Sequence, residues 1–218
     1  MSSPLSKRYS CGEEIANSLT HAMGAALSIA AIVVLIACFG NYQDPWRVVG
    51  FSIYGSTLLI LYLASTLYHA VVHEKLKSFF RLMDHSSIFL LIAGTYTPVI
   101  LVAMRNGWGW TLFGLIWALA AGGVVFKFCF MDRYPWVSLG LYTAMGWLAV
   151  IAIKPMLLLL PAGLLAWIVI GGLFYTLGIV FYVWKKLPYH HAIWHLFVLG
   201  GSVAHFFGIL LYLSRNPV

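Results

Sequence analysis

Charge is what this chain has least of. Only 9% of its 218 residues are Asp, Glu, Lys or Arg, against about 25% in ordinary soluble domains. So few charges cannot clothe a cytosolic enzyme in a water-exposed surface, nor build the polar frame of a base-reading DNA-binding domain. Cysteine is scarce too: Cys11, Cys38 and Cys129 are odd in number, widely spaced and form no CxxC pair, so neither a disulfide framework nor a thiolate cluster is supported. There is no internal repeat at a fixed period, no low-complexity segment and no room for a separate soluble domain. A cleavable secretory signal is also missing, because the first apolar run begins only after Glu13, Glu14 and His21 and has no clear small-residue cleavage site. The first hydrophobic segment is therefore expected to stay attached.

What the chain has in abundance is apolar length. Hydrophobic residues make up 62%, and the mean hydropathy is +0.91. Measured against roughly 20 residues per bilayer crossing, the apolar runs give seven helices, at roughly 21–40, 47–70, 85–104, 108–128, 136–154, 158–183 and 191–213. The breaks fall at Asn41 to Pro45, His73 to Arg81, Arg105 to Gly109, Asp132 to Pro135, Lys154-Pro155 and Lys185 to Pro188. The expected protein is an all-α, seven-transmembrane-helix bundle: a cytoplasmic segment at 1–20, the bundle at 21–213 and a short tail at 214–218. Lys7, Arg8, Lys75, Lys77, Arg81, Lys127, Arg133, Lys185 and Lys186 fall on one side, and Arg47, Arg105, Lys154 and Arg215 on the other. Cytoplasmic loops carry the excess of Lys and Arg, so the N-terminus is expected in the cytoplasm and the C-terminus outside. The net charge of +7 is thus a topology signal spread over short loops, and no nucleic-acid partner is expected. Glycine pairs at 122–123, 171–172 and 200–201 lie inside spans, where small residues let helices approach closely.

Ionisable side chains in spans are costly, so each one is a functional hypothesis. Here they gather at one depth. His69 lies near the end of the second helix, Asp84 and His85 at the start of the third, and His191 and His195 at the start of the seventh. His191 and His195 are about 400° and about 6 Å apart on a helix, so both imidazoles reach one point. His69 would complete a three-histidine set suited to zinc, with a fourth tetrahedral position for water. Asp84 would bond that water or ligate the metal; Ser65, one turn deeper than His69 on the same face, would support it or touch substrate. Each has a plainer reading alone. His191 with His195 would be a chance interfacial pair, His69 a hydrogen-bonded helix end, Asp84 an N-cap, and Ser65 a serine bonded to its own backbone. Their convergence on one leaflet weighs against those readings together.

The other histidines read as structural. His73 falls in the basic loop, His85 points about 100° away from Asp84, His190 is interfacial, and His205, about 21 Å deeper than His191, makes a buried bond between helices. Glu14, Asn17 and His21 share one face at the start of the first helix, where capping the site and stabilising that helix end are both open.

These residues form a known pattern: E-x-x-N-x-x-x-H at Glu14 to His21, S-x-x-Y-H at Ser65 to His69, D-H-x-x-I at Asp84 to Ile88, T-Y-T-P at Thr95 to Pro98 and H-A-I-W-H at His191 to His195. The set resembles the bacterial hemolysin III branch of the progestin and adipoQ receptor (PAQR) family. That resemblance implies seven helices in the plasma membrane, a cytoplasmic N-terminus, zinc held at His69, His191 and His195, and Asp84 acting through the zinc's water. The family is similar in turn to alkaline ceramidases, which implies metal-dependent hydrolysis of a lipid amide or ester. Membrane lipids are then the expected partners. Two other readings stand beside this one: a receptor-like or membrane-homeostasis regulator whose zinc is structural, and a cytolytic membrane protein. A pore or transporter ranks last, since the helix middles carry few polar residues.

Overall fold

A computed structural model of the chain describes residues 9–38, 44–131 and 133–214. Lys7, Arg8 and Arg215 of the charge count, Asn41 and Asp132 of the breaks, and the terminal residues 1–8 and 215–218 lie outside them. The described residues are helical, without strands: α1 (Cys11–Val33, continued by a π turn over Val34–Cys38), α2 (Pro45–Ala70), α3 (Glu74–Ala103), α4 (Gly107–Phe130), α5 (Pro135–Gly146), α6 (Ile153–Leu159), α7 (Ala162–Val183) and α8 (His190–Tyr212). Among them seven segments are long and apolar enough to cross a membrane, α5 and α6 sharing one crossing. The seven-helix membrane protein expected from hydropathy is the architecture found.

Two helices begin about ten residues earlier than their apolar runs, and both differences shape the site. α1 starts at Cys11 because Ser10 and Glu13 form a capping box: the Ser10 hydroxyl accepts from the Glu13 amide at 3.3 Å, and Glu13 accepts from the Ser10 amide at 2.8 Å. Its first turns are polar, and Asn17 and His21 are buried within the bundle. α3 starts at Glu74, so the basic stretch expected as a loop between His73 and Arg81 is helix, with most of its first turns exposed. At 30 residues it is about 45 Å long, longer than the roughly 30 Å hydrocarbon layer.

The fifth crossing breaks where the sequence reading did not place a break. Lys154-Pro155 lies inside α6, and the helix loosens instead at Gly146, passing through a 3-10 turn over Leu148–Ala152. Backbone groups freed inside a membrane need partners. Tyr96 of α3 supplies them, its hydroxyl lying 3.0 Å from the carbonyls of Met145 and Gly146 and accepting from the Ala149 amide at 2.9 Å.

α1 to α4 pack as successive neighbours, α8 lies along α7, and α1 and α3 both touch α8, which brings the ends of α2 and α8 together. Gly24 permits this closeness on α1: a Cβ there would overlap the Tyr62 ring of α2. Deep between the helices lies a polar cluster that hydropathy hides. Tyr62 donates to the Ser202 hydroxyl at 2.7 Å, the Tyr175 hydroxyl stands 2.9 Å from the same oxygen, and Tyr54 donates to the Ser202 carbonyl at 3.2 Å.

Candidate metal centre

The last turn of α2 and the first two turns of α8 deliver three buried imidazoles to one point. His69, His191 and His195 each offer a ligand atom within 4.8 Å of the other two; two nitrogens on one tetrahedral zinc stand roughly 3.3 Å apart, so the three converge on one point and would draw in by up to about 1.5 Å around an ion.

Tautomers support that use. Nδ1 of His69 lies 2.6 Å from a carboxylate oxygen of Glu14, whose other oxygen accepts from Lys77 at 2.8 Å. A carboxylate only accepts, so Nδ1 carries the proton and Nε2 is left with its lone pair. That Nε2 is buried without a hydrogen bond. His195 is set in the same way: Nδ1 lies 3.1 Å from the Asn17 carbonyl and 3.2 Å from the Thr20 hydroxyl. Histidines on metals characteristically donate their second N–H to a carboxylate or backbone carbonyl, and α1 supplies one of each. The residue types and spacing, with the tautomers set on His69 and His195, therefore fit a zinc-type ion, His69, His191 and His195 being the residues that would hold it. Glu14 and Asn17, for which capping the site and holding the helix end were both open, contact His69 and His195.

Asp84 is not an N-cap. Because α3 begins at Glu74, it sits in the third turn, where its carboxylate is 3.4 Å from Nδ1 of His85. It lines the same cavity as His21, His191 and His195 but stands outside the three-nitrogen group. Ser65 is fully buried and its hydroxyl has no partner, so its plainer reading, a serine bonded to its own backbone, does not hold. The other histidines behave structurally. His85 bonds the Arg81 carbonyl at 2.9 Å, His190, buried at the first position of α8, the Phe181 carbonyl at 3.1 Å, and His205 the Ile168 carbonyl of α7 at 3.2 Å. His73 is exposed at the N-cap position of α3.

Sequence reasoning missed the roof and the floor. Tyr9 stacks on His191 at 5.0 Å between ring centroids and also touches His69 and His190. Beside it the Tyr189 amide, in a residue with left-handed φ of 56°, donates to Glu13 at 3.1 Å and ties the first turn of α1 to the start of α8. Below the histidines opens a cavity of about 280 Å³, mostly apolar, that reaches Ile100 along α3 and Tyr175 and His205 on α7 and α8. Asp84 to Ile100 is about 24 Å of helix rise, so the cavity is long and narrow. Nothing in hydropathy announces it, since its walls are the same apolar residues that face lipid elsewhere.

Comparison with known proteins bears on the whole chain. A family described as haemolysin-III related matches residues 9–206. The hemolysin-3 homolog of Bacillus subtilis (strain 168) is 47% identical over 209 residues, covering 96% of this chain and 98% of that protein. Hemolysin-3 of Bacillus cereus is 48% identical over 200 residues, 92% of this chain and 91% of its own length. The human monocyte to macrophage differentiation factor is 32% identical over 222 residues, 98% and 91% of the two chains. No solved structure matches.

Proposed function

This chain belongs to the haemolysin-III-related family and is a multi-pass integral protein of the bacterial plasma membrane; from that premise we propose that it is a zinc-dependent hydrolase of a lipid amide or ester. The observation that carries the reading is the pair of set tautomers, Glu14 on His69 and the Asn17 carbonyl on His195, which leave nitrogen lone pairs for an ion. A zinc ion so held would supply Lewis acidity and an activated water near neutral pH. His69, His191 and His195 would hold it. Asp84, at the cavity wall beside them, takes and returns the proton, and Ser65 donates to the oxygen that gains charge. The long apolar cavity accepts an acyl chain with its carbonyl at the histidine end. By the Lys and Arg distribution, that end lies in the cytoplasm and the C-terminus outside.

Elemental analysis of detergent-purified protein beside His191→Ala/His195→Ala tests the first step. Near one zinc per chain, lost in the variant, supports the site and opens a screen of lipid amides and esters. No metal in either protein removes the hydrolase.

One observation favours a second reading, a regulator with structural zinc: all three histidines are buried and Tyr9 lies against His69 and His191. In that case zinc binds, but neither the wild type nor Asp84→Ala turns over a lipid amide or ester. The haemolysis in the name of the Bacillus cereus relative would, in this chain, follow from altered membrane lipid.

A further inference from the structure

The three histidines do not account for all the unmade hydrogen bonds around them. Five histidines lie outside that set. Three of these, His85, His190 and His205, bond a backbone carbonyl, and His73 is exposed to solvent. His21 differs: it is 3% exposed, and neither ring nitrogen has a partner. An imidazole carries at least one N–H in every protonation state, and buried donors are rarely left without an acceptor. The Ser65 hydroxyl is orphaned nearby. Residues 62, 65 and 69 share one face of α2, and His21 meets Tyr62 edge-on at 5.0 Å, so Ser65 lies on the face between that contact and His69.

His21 is not a fourth protein ligand. Its ring stacks on His195 with centroids 3.5 Å apart and planes 13° from parallel. Ring lone pairs lie in the ring plane, and two nearly parallel rings about 3.5 Å apart cannot both aim lone pairs at one ion with bonds of about 2.0 Å. An oxygen attached to that ion on the His21 side is brought within hydrogen-bond reach. His21 also lines the cavity with Asp84, His191 and His195, so whatever enters the site meets it.

We infer that His21, assisted by Ser65, holds an oxygen ligand, water or a carbonyl or carboxylate oxygen, in the position the three histidines leave open. This rests on the metal-site reading above. The test uses the full-length protein loaded with cobalt, titrated with acetohydroxamate and read by visible absorption. His21→Phe keeps a flat ring against His195; it should retain about one metal per chain while acetohydroxamate affinity falls at least tenfold, and His21→Gln should restore most of it. Unchanged affinity in His21→Phe overturns the inference, as does loss of metal from that variant at an unchanged melting temperature. If His21→Phe does not fold, Ser65→Ala takes its place: a several-fold weaker acetohydroxamate complex supports the assignment, and an unchanged one overturns it. A wild-type protein that takes up no metal instead refutes the metal-site reading itself, and the inference with it.

Discussion

Glu14 offers the sharpest test of how the histidines are held. Its carboxylate lies 2.6 Å from Nδ1 of His69 and 2.8 Å from the Lys77 ammonium, tying α1 to α2 and α3. Partners of this kind are worth about 10- to 100-fold in metal affinity, or about 1.4–2.7 kcal/mol. Glu14→Gln keeps an oxygen to accept the Nδ1 proton but loses the charge, so zinc affinity should fall about tenfold. Glu14→Ala orphans Nδ1 and leaves the Lys77 charge near the site, so it should reach the upper end, about 100-fold. Asn17→Ala is the control. His195 is oriented by the Asn17 backbone carbonyl, which the substitution keeps, while the Asn17 amide stands a long 3.5 Å from His69; affinity should change by no more than about threefold. Competition with a chromophoric chelator in detergent measures all three. An affinity for Glu14→Ala within about threefold of wild type would refute the argument that this carboxylate sets the tautomer of His69.

Asp84→Ala should abolish lipid turnover while zinc stays near one per chain; retained turnover excludes Asp84 from proton transfer. Removing the metal with a chelator should lower the melting temperature, because an ion present at about 100 times its dissociation constant stabilises the folded state by about 2.7 kcal/mol; an unchanged melt argues against a site joining α2 to α8. Ser202→Ala removes the hydroxyl that Tyr62 and Tyr175 share and should cost about 1–2 kcal/mol, seen as earlier unfolding with metal content intact. Gly24→Val should push α1 off the Tyr62 ring and weaken zinc binding along with stability, since α1 carries Glu14 and Asn17; a variant that keeps full zinc affinity shows that α1 does not set the site.

How much of this was legible follows from which distances a regular helix fixes. The His191–His195 pair depends only on helix rise and twist, and His69 shares its depth because short connections make successive helices antiparallel, so the trio could be read from spacing. Asp84 was placed by the same rule, and only its plainer reading as an N-cap fails, because α3 begins at Glu74. Apolar runs mark where lipid begins, whereas helices begin where backbone amides find caps, and at Ser10 the cap lies about ten residues ahead of the run. That extension turns Glu14, Asn17 and His21 from an interfacial fringe into the wall that orients two imidazoles and presents a third. The deep tyrosines were invisible for the opposite reason. Tyr54, Tyr62 and Tyr175 count as apolar on a hydropathy scale, yet their hydroxyls converge on Ser202, so the helix middles are less empty of polar chemistry than composition implies. The premise on which a pore or transporter was ranked last, helix middles with few polar residues, is weaker for it.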